Sequence, residues 1–310
     1  MIMKISKIQF LVLIFLIYNT FSYGQSDFVQ IKGKKIEVLL AGLENNQPDK
    51  PTIVFENGRA TKYDSWRTII NEISKESVVF AYNRPRIGNS EDDGLPPTMK
   101  HIVDNLREML LKKGLKPPYL LVGHSFGANY IRSFASYYPD EIAGLIFVDP
   151  HDFTKKKGMG RLPYEKIGLT AYQIDSIFNS FKEFKKKYLP KMPNYVVEEM
   201  KVATAINDSG YIQCTQNPLP DVPVHFIQAG GFRPNENRET PYDQEEMFRI
   251  NSKLKRNRWL KLLYPLNYGR FFYSTKTRHY VQKDDAELLI NSINLALKDY
   301  QEIQNNKNRR

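Results

Sequence analysis

Ser125 lies in Gly123-His124-Ser125-Phe126-Gly127, a Gly-x-Ser-x-Gly pattern. A serine hydroxyl is a weak nucleophile until a neighbouring base takes its proton. The pattern therefore matters only if a histidine reaches it. The chain offers five: His101, His124, His151, His225 and His279. His279 sits in a short stretch between an apolar run and a late amphipathic segment, and is the candidate base. His151 is the second candidate. His101 reads as a surface side chain on a helix, His225 as a core histidine on an apolar strand, and His124 is held within the pentapeptide itself. A serine–histidine pair needs a carboxylate to orient the imidazole, and the chemistry such a set performs is acyl transfer.

Those groups can meet only if the chain between them folds to bring them together. Residues 28–40 read as two alternating strands around Gly33. Short apolar strands follow at 52–55, 77–82, 119–122, 144–148, 224–228 and 271–273. Helical spacing covers 64–74, 98–113, 127–138, 242–263 and 284–298. Thr98 is a candidate cap and Gly114 a stop. Alternating strands and helices, with strands apolar throughout, predict an α/β fold: a mostly parallel central sheet flanked by helices. The pentapeptide falls between a strand (YLLV) and a helix (GANYIRSFASYY). At such a sharp turn a serine is exposed, and the flanking glycines keep side chains out of a crowded bend. The lysine-rich stretch 152–220 has helical patterns and no buried-strand run, so it reads as a helical cap inserted into the sheet fold.

Four segments resemble the α/β-hydrolase fold superfamily, and the resemblance spans residues 28–297. FENGRATKYDSW is similar to the loop after the third strand, and AYNRPRIGNSE to the segment after the fourth. VGHSFGA is similar to the nucleophile elbow, and RHYVQKDDAELLINSI to the segment that supplies the histidine. The resemblance implies Ser125 as nucleophile, His279 as base, and the order serine, acid, histidine. It places the acid after the seventh strand or at the end of the sixth. After the seventh, the turn Ala229–Arg233 has no carboxylate and Glu236 comes late. At the end of the sixth stands Asp149, which is preferred, with Glu236 as the alternative. The oxyanion hole is expected from the backbone N–H groups of Phe126 and Arg59. Arg278 replaces the glycine usual before the histidine. Epoxide-hydrolase and dehalogenase chemistry is disfavoured, because those relatives carry aspartate at the nucleophile position. The expectation is a serine hydrolase of ester-type bonds acting on a small-molecule acyl substrate, with no metal and no organic cofactor. Peptidase, amidase or lactonase chemistry on the same triad is the alternative, as is a non-catalytic binding protein on this scaffold.

Composition sets the frame. The chain has 310 residues, 41% of them hydrophobic, and a formal charge of +11. Lys4 and Lys7 precede an apolar run at 8–18, and Ser22 and Gly24 follow at the spacing of a cleavage site. Residues 1–24 therefore read as a signal peptide for export, cut near Gly24; an uncleaved anchor or a buried strand is the competing reading. The expected division is 1–24 signal, 25–151 first core segment, 152–220 cap, 221–300 second core segment and 301–310 flexible tail. Cys214 is the only cysteine and cannot close an internal disulfide. Residues 249–278 carry nine Lys/Arg and no acid. This allows weak association with anionic surfaces, but no nucleic-acid-binding motif accompanies it and no specific nucleic acid is expected. Tyr164, Tyr172, Phe178 and Phe181 are candidates for an acyl pocket, although at helical spacing they also suit the core of the cap.

Overall fold

Lys32 and Gly33 both take positive φ, 49° and 80°, and turn the chain between β1 (Gln25–Ile31) and β2 (Lys34–Ala41). Two consecutive residues in that region make the hairpin turn whose twist suits antiparallel strands. The computed structural model describes residues 25–237 and 239–309. The expected signal segment lies outside the described residues. After the hairpin, strands and helices alternate: β3 (Thr52–Glu56), α1 (Arg67–Ile73), β4 (Val79–Tyr82), α2 (Met99–Lys112), β5 (Tyr119–His124), α3 (Gly127–Tyr137) and β6 (Ile142–Val148). Three helices intervene before the sheet resumes: α4 (Leu162–Lys166), α5 (Ala171–Tyr188) and α6 (Asn194–Asp208). The chain closes with β7 (Val224–Ala229), α7 (Gln244–Leu263), β8 (Gly269–Ser274), α8 (Val281–Asp284) and α9 (Ala286–Asn308).

The sheet has eight strands in the order β1-β2-β4-β3-β5-β6-β7-β8. β2 runs antiparallel to both its neighbours, and every other pairing is parallel. β3 through β7 are buried at every position, which is why their sequences are unbroken apolar runs rather than alternating ones. The side chains still sort by period two. Val54 and Leu121 join a core with Ile102, Leu106, Ile131, Phe134 and Trp259. Their neighbours Ile53, Phe55, Leu120 and Val122 join the opposite core with Trp66, Ile69, Leu289 and Ile293.

Helix ends follow their sequence signals. The Thr98 hydroxyl accepts the His101 N–H at 3.3 Å, and Gly114 takes φ 73° just past α2. Two boundaries differ from expectation. Residues 63–66 form a tight 3-10 turn before α1, where the Tyr63 N–H is taken by the Asn83 side chain and the Trp66 indole by the Asn57 side chain. α9 runs on to Asn308, so residues 301–308, read as tail, are helical. Tyr300 and Asp299 remain buried there, and Arg270 clamps Asp299 at 2.9 and 3.0 Å.

Candidate active site

β5 ends at His124 and α3 starts at Gly127, so the chain reverses within two residues. Ser125 occupies that bend with φ 51°, the left-handed region that non-glycine residues rarely adopt. The flanking glycines are required by space. A Cβ on Gly127 would sit 2.5 Å from the carbonyls of Glu56 and Asn57, and one on Gly123 would sit 2.9 Å from the Gly127 carbonyl. The Ser125 N–H donates to the Val148 carbonyl at 3.0 Å, and its carbonyl accepts the His151 N–H at 2.9 Å. The elbow is thus tied to β6.

His279 Nε2 lies 2.9 Å from Ser125 Oγ, and His279 Nδ1 lies 2.7 Å from Asp149 Oδ2. The carboxylate can only accept, so the proton sits on Nδ1 and Nε2 is free to take the serine proton. Asp149 takes φ 37° at the end of β6, and its second oxygen accepts the Ala229 N–H at 3.3 Å. Burial alone would raise its pKa. The His279 hydrogen bond and the charge of Lys255 outweigh burial and hold the carboxyl below the ordinary value. Asp149 is therefore ionised at neutral pH.

Glu236 is exposed and is not brought to the histidine. The reason for the missing carboxylate after β7 is steric. A Cβ on Gly231 would meet the Thr277 carbonyl at 2.7 Å, and one on Gly230 would meet the Tyr273 ring at 2.4 Å. This turn is packed against the loop that carries His279. Arg278, at the position of the usual glycine, keeps an exposed side chain 4.0 Å from Asp284 and donates its N–H to the same carboxylate at 2.7 Å.

The oxyanion donors expected from sequence are both available. Among the described residues, neither the Phe126 nor the Arg59 N–H has a hydrogen-bond partner. Phe126 stands at the N-terminus of α3, where the helix dipole favours developing negative charge. Arg59 lies in the loop after β3, and that loop is held by a buried guanidinium. Arg84 donates to the carbonyls of Asn57 at 2.8 Å and Gly58 at 2.7 Å, and pairs with Glu56 at 2.5 Å. Its Nε pairs with Glu199 of α6 at 2.6 Å. The other Glu199 oxygen accepts the Ala60 N–H at 2.6 Å. Arg84, Glu56 and Glu199 are all buried, so each charge depends on the others.

The remaining histidines sort by environment. His124 Nε2 donates to the His279 carbonyl at 2.6 Å and so anchors the histidine loop. Burial, reinforced by His279, pushes His124 down to about 4, which keeps it neutral. His151 faces Asn129 at 3.4 Å and Tyr211 at 3.5 Å rather than the serine hydroxyl. Burial, then Lys155, Arg59 and Lys255, push it down to about 4. His225 is fully buried against Ser292 at 2.9 Å. His101, expected at the surface, is instead largely covered and pairs with Asp93 at 2.6 Å. Cys214 is buried, and burial raises its thiol to about 11. Phe178 makes edge-on ring contacts with Tyr164 and with Phe181, and Tyr164 makes another with Tyr242, while Tyr172 is exposed. Sequence reading placed His124 within the pentapeptide without its anchoring role, and missed Arg84 and Glu199. His124 and Arg84 stand within motif segments; Glu199 carries no local signal.

A family model described as "alpha/beta hydrolase fold" matches residues 51–188, a stretch that contains Ser125 and Asp149. Uncharacterized protein YqjL of Bacillus subtilis is 35% identical over 99 residues, covering 32% of this chain and 39% of that protein. An AB hydrolase superfamily protein of Gibberella zeae is 21% identical, covering 83% of this chain and 89% of its own length. The solved structure of Cfl2 from Burkholderia cenocepacia superposes with a TM-score of 0.55 at 13% identity, covering 89% of this chain and 96% of that one. The chain spans half or less of the length of three of the curated relatives it matches, 39%, 43% and 50%. Sheet order, strand-to-helix elbow, matched segment and structural neighbours agree: the chain has the α/β-hydrolase fold.

Proposed function

We propose that this protein is a serine hydrolase of carboxylic esters. One observation carries the reading: Ser125, His279 and Asp149 form a continuous hydrogen-bonded line, 2.9 and 2.7 Å, beside two unpaired amides. Ser125 Oγ attacks the ester carbonyl while His279 Nε2 takes its proton. The oxyanion is held by the N–H groups of Phe126 and Arg59. The C–O bond to the alcohol breaks, and His279 returns the proton to the departing alcohol. Water then attacks the acyl-enzyme and gives a proton to His279; the bond from the acyl carbon to Ser125 Oγ breaks as His279 returns that proton to Oγ, releasing the acid and the free serine. Asp149 stabilises the imidazolium at each stage without itself taking the proton. The His279 side chain is 52% exposed, so a small ester can approach from that side. The basic, apolar and small-residue order of residues 1–24 supports export.

Turnover of 4-nitrophenyl acetate and butyrate tests the reading. The wild type should hydrolyse at least one of them, and Ser125→Ala should lose about 10³-fold or more in kcat. Equal rates in the two proteins would refute it.

A further inference from the structure

We propose that the exposed half of α5, together with the turn into α6, docks this protein on an anionic lipid bilayer. α5 begins at a reciprocal cap between Thr170 and Gln173, and its apolar residues recur on one face: Ile174, Ile177, Phe178, Phe181, Phe184 and Tyr188. The first part of that stripe is used. Ile174 is buried, and Phe178 packs against Tyr164 and Phe181. The second part is not. Phe184 is 56% exposed and Tyr188 37% exposed, and their rings lie 4.5 Å apart in an aromatic pair facing solvent. The same stripe continues into an open groove of about 830 Å³ with Leu189, Met192, Val197 and Met200 in its wall.

The charge around this apolar surface is predominantly basic, with Asp208 as the acid in the groove wall. Residues 182–191 hold five lysines (Lys182, Lys185, Lys186, Lys187, Lys191) against Glu183. Among the described residues none of the five forms an ion pair. Lys187 and Lys191 instead lie over the Tyr188 ring, at 5.4 and 5.8 Å. A soluble polyanion would satisfy the lysines and leave Phe184 and Tyr188 in water. A bilayer takes both: aromatic rings settle at the headgroup level, and lysine stems lie along apolar surface while their ammonium groups reach lipid phosphates. α6, the next helix, delivers Glu199 to the loop that carries Arg59, so docking would hold the neighbour of a site-contacting helix against the membrane.

The test is co-sedimentation of the full chain with phosphatidylcholine vesicles, with and without about 30 mol% phosphatidylglycerol. The quantity read is the gain in binding when anionic lipid is added. That gain should fall steeply as salt rises from about 0.1 to 0.5 M. Lys185→Glu/Lys186→Glu/Lys187→Glu should cut it by about tenfold or more. Phe184→Ser/Tyr188→Ser should reduce it even at low salt. Lys253→Glu/Lys261→Glu on α7 should leave it unchanged, as should Ser125→Ala, so the result stands apart from the hydrolase reading. Matching circular-dichroism melts establish that the variants are folded. Three outcomes overturn the proposal. One is no gain with anionic lipid. Another is a gain that the triple lysine variant or the aromatic variant retains in full. The third is self-association in sedimentation that Phe184→Ser/Tyr188→Ser abolishes, which would assign the patch to a second copy of the chain.

Discussion

Ser125, Asp149 and Ala60 hold φ of 51°, 37° and 55°, and all three line the same strand-end cluster. Left-handed backbone at a non-glycine residue costs on the order of 1–3 kcal/mol and persists only where the surroundings impose it. At Ser125 the imposing contacts are the Val148 and His151 backbone bonds. The choice between acids rests on contact, and it yields a direct prediction. Asp149→Asn should lower kcat by about 10⁴-fold, because an amide facing Nδ1 no longer enforces the reactive tautomer. Glu236→Gln should leave kcat unchanged. A large loss in the Glu236 variant and none in the Asp149 variant would reverse the assignment. Ser125 and His279 were legible in sequence as a candidate pair because each sits in a short local pattern, and the fold brings them to 2.9 Å. The acid was legible only as a pair of options. What excludes a carboxylate after β7 is the approach of Gly230 and Gly231 to Tyr273 and Thr277, which no local pattern records.

At the scale of elements, α6 matters more than its sequence suggests. Glu199 lies 115 residues from Arg84, and nothing in the helix singles it out from Glu198. Only the way the inserted helices fold back over the β3 loop gives it a role. Glu199→Ala would leave the Arg84 guanidinium and the Ala60 N–H without their partner in a buried setting. The expected loss is about 3–5 kcal/mol in urea unfolding, the range for breaking a buried ion pair. Glu199→Gln keeps one acceptor oxygen, for either the Arg84 Nε or the Ala60 N–H, turns an amide donor toward the other and loses the charge, so it should recover only part of that loss. Both variants should reduce kcat more than they raise KM, because the Arg59 amide is aimed by this loop. An unchanged kcat in Glu199→Ala would separate α6 from the oxyanion loop. Gly127 makes a second element-level prediction. Gly127→Ala places a Cβ 2.5 Å from two backbone carbonyls of the β3 end, where neither side can yield by rotating a side chain. Turnover should fall while far-UV circular dichroism changes little.

For the molecule as a whole, the alternation of apolar strands with amphipathic helices made the parallel sheet and its two covered faces readable in advance. Strand boundaries came within a few residues. The insertion was readable as helical but not in its packing, because α5 buries little and its placement rests on contacts such as Phe178 with Tyr164 of α4. A global consequence follows from three covered histidines. Burial, the first cause in each case, lowers His124, His151 and His225 to about 4. The unfolded-state value is about 6.5, so the folded protein binds fewer protons than the unfolded chain between the two. Their contribution to stability is complete above about pH 6.5 and is lost as pH falls toward 4, on the order of 1–3 kcal/mol for each. Urea midpoints should therefore drop between about pH 7 and pH 4.5, before most carboxylates protonate. A flat profile over that window would show that these rings are not held neutral.

The central claim is that Ser125 is an activated nucleophile, and intact mass after treatment with a fluorophosphonate tests it most directly. One adduct is expected on the wild type, none on Ser125→Ala, and labelling slowed by about 10³-fold or more in His279→Ala. A wild type that stays unlabelled under conditions that label a control hydrolase, or a Ser125→Ala variant that labels as fast as the wild type, would contradict it.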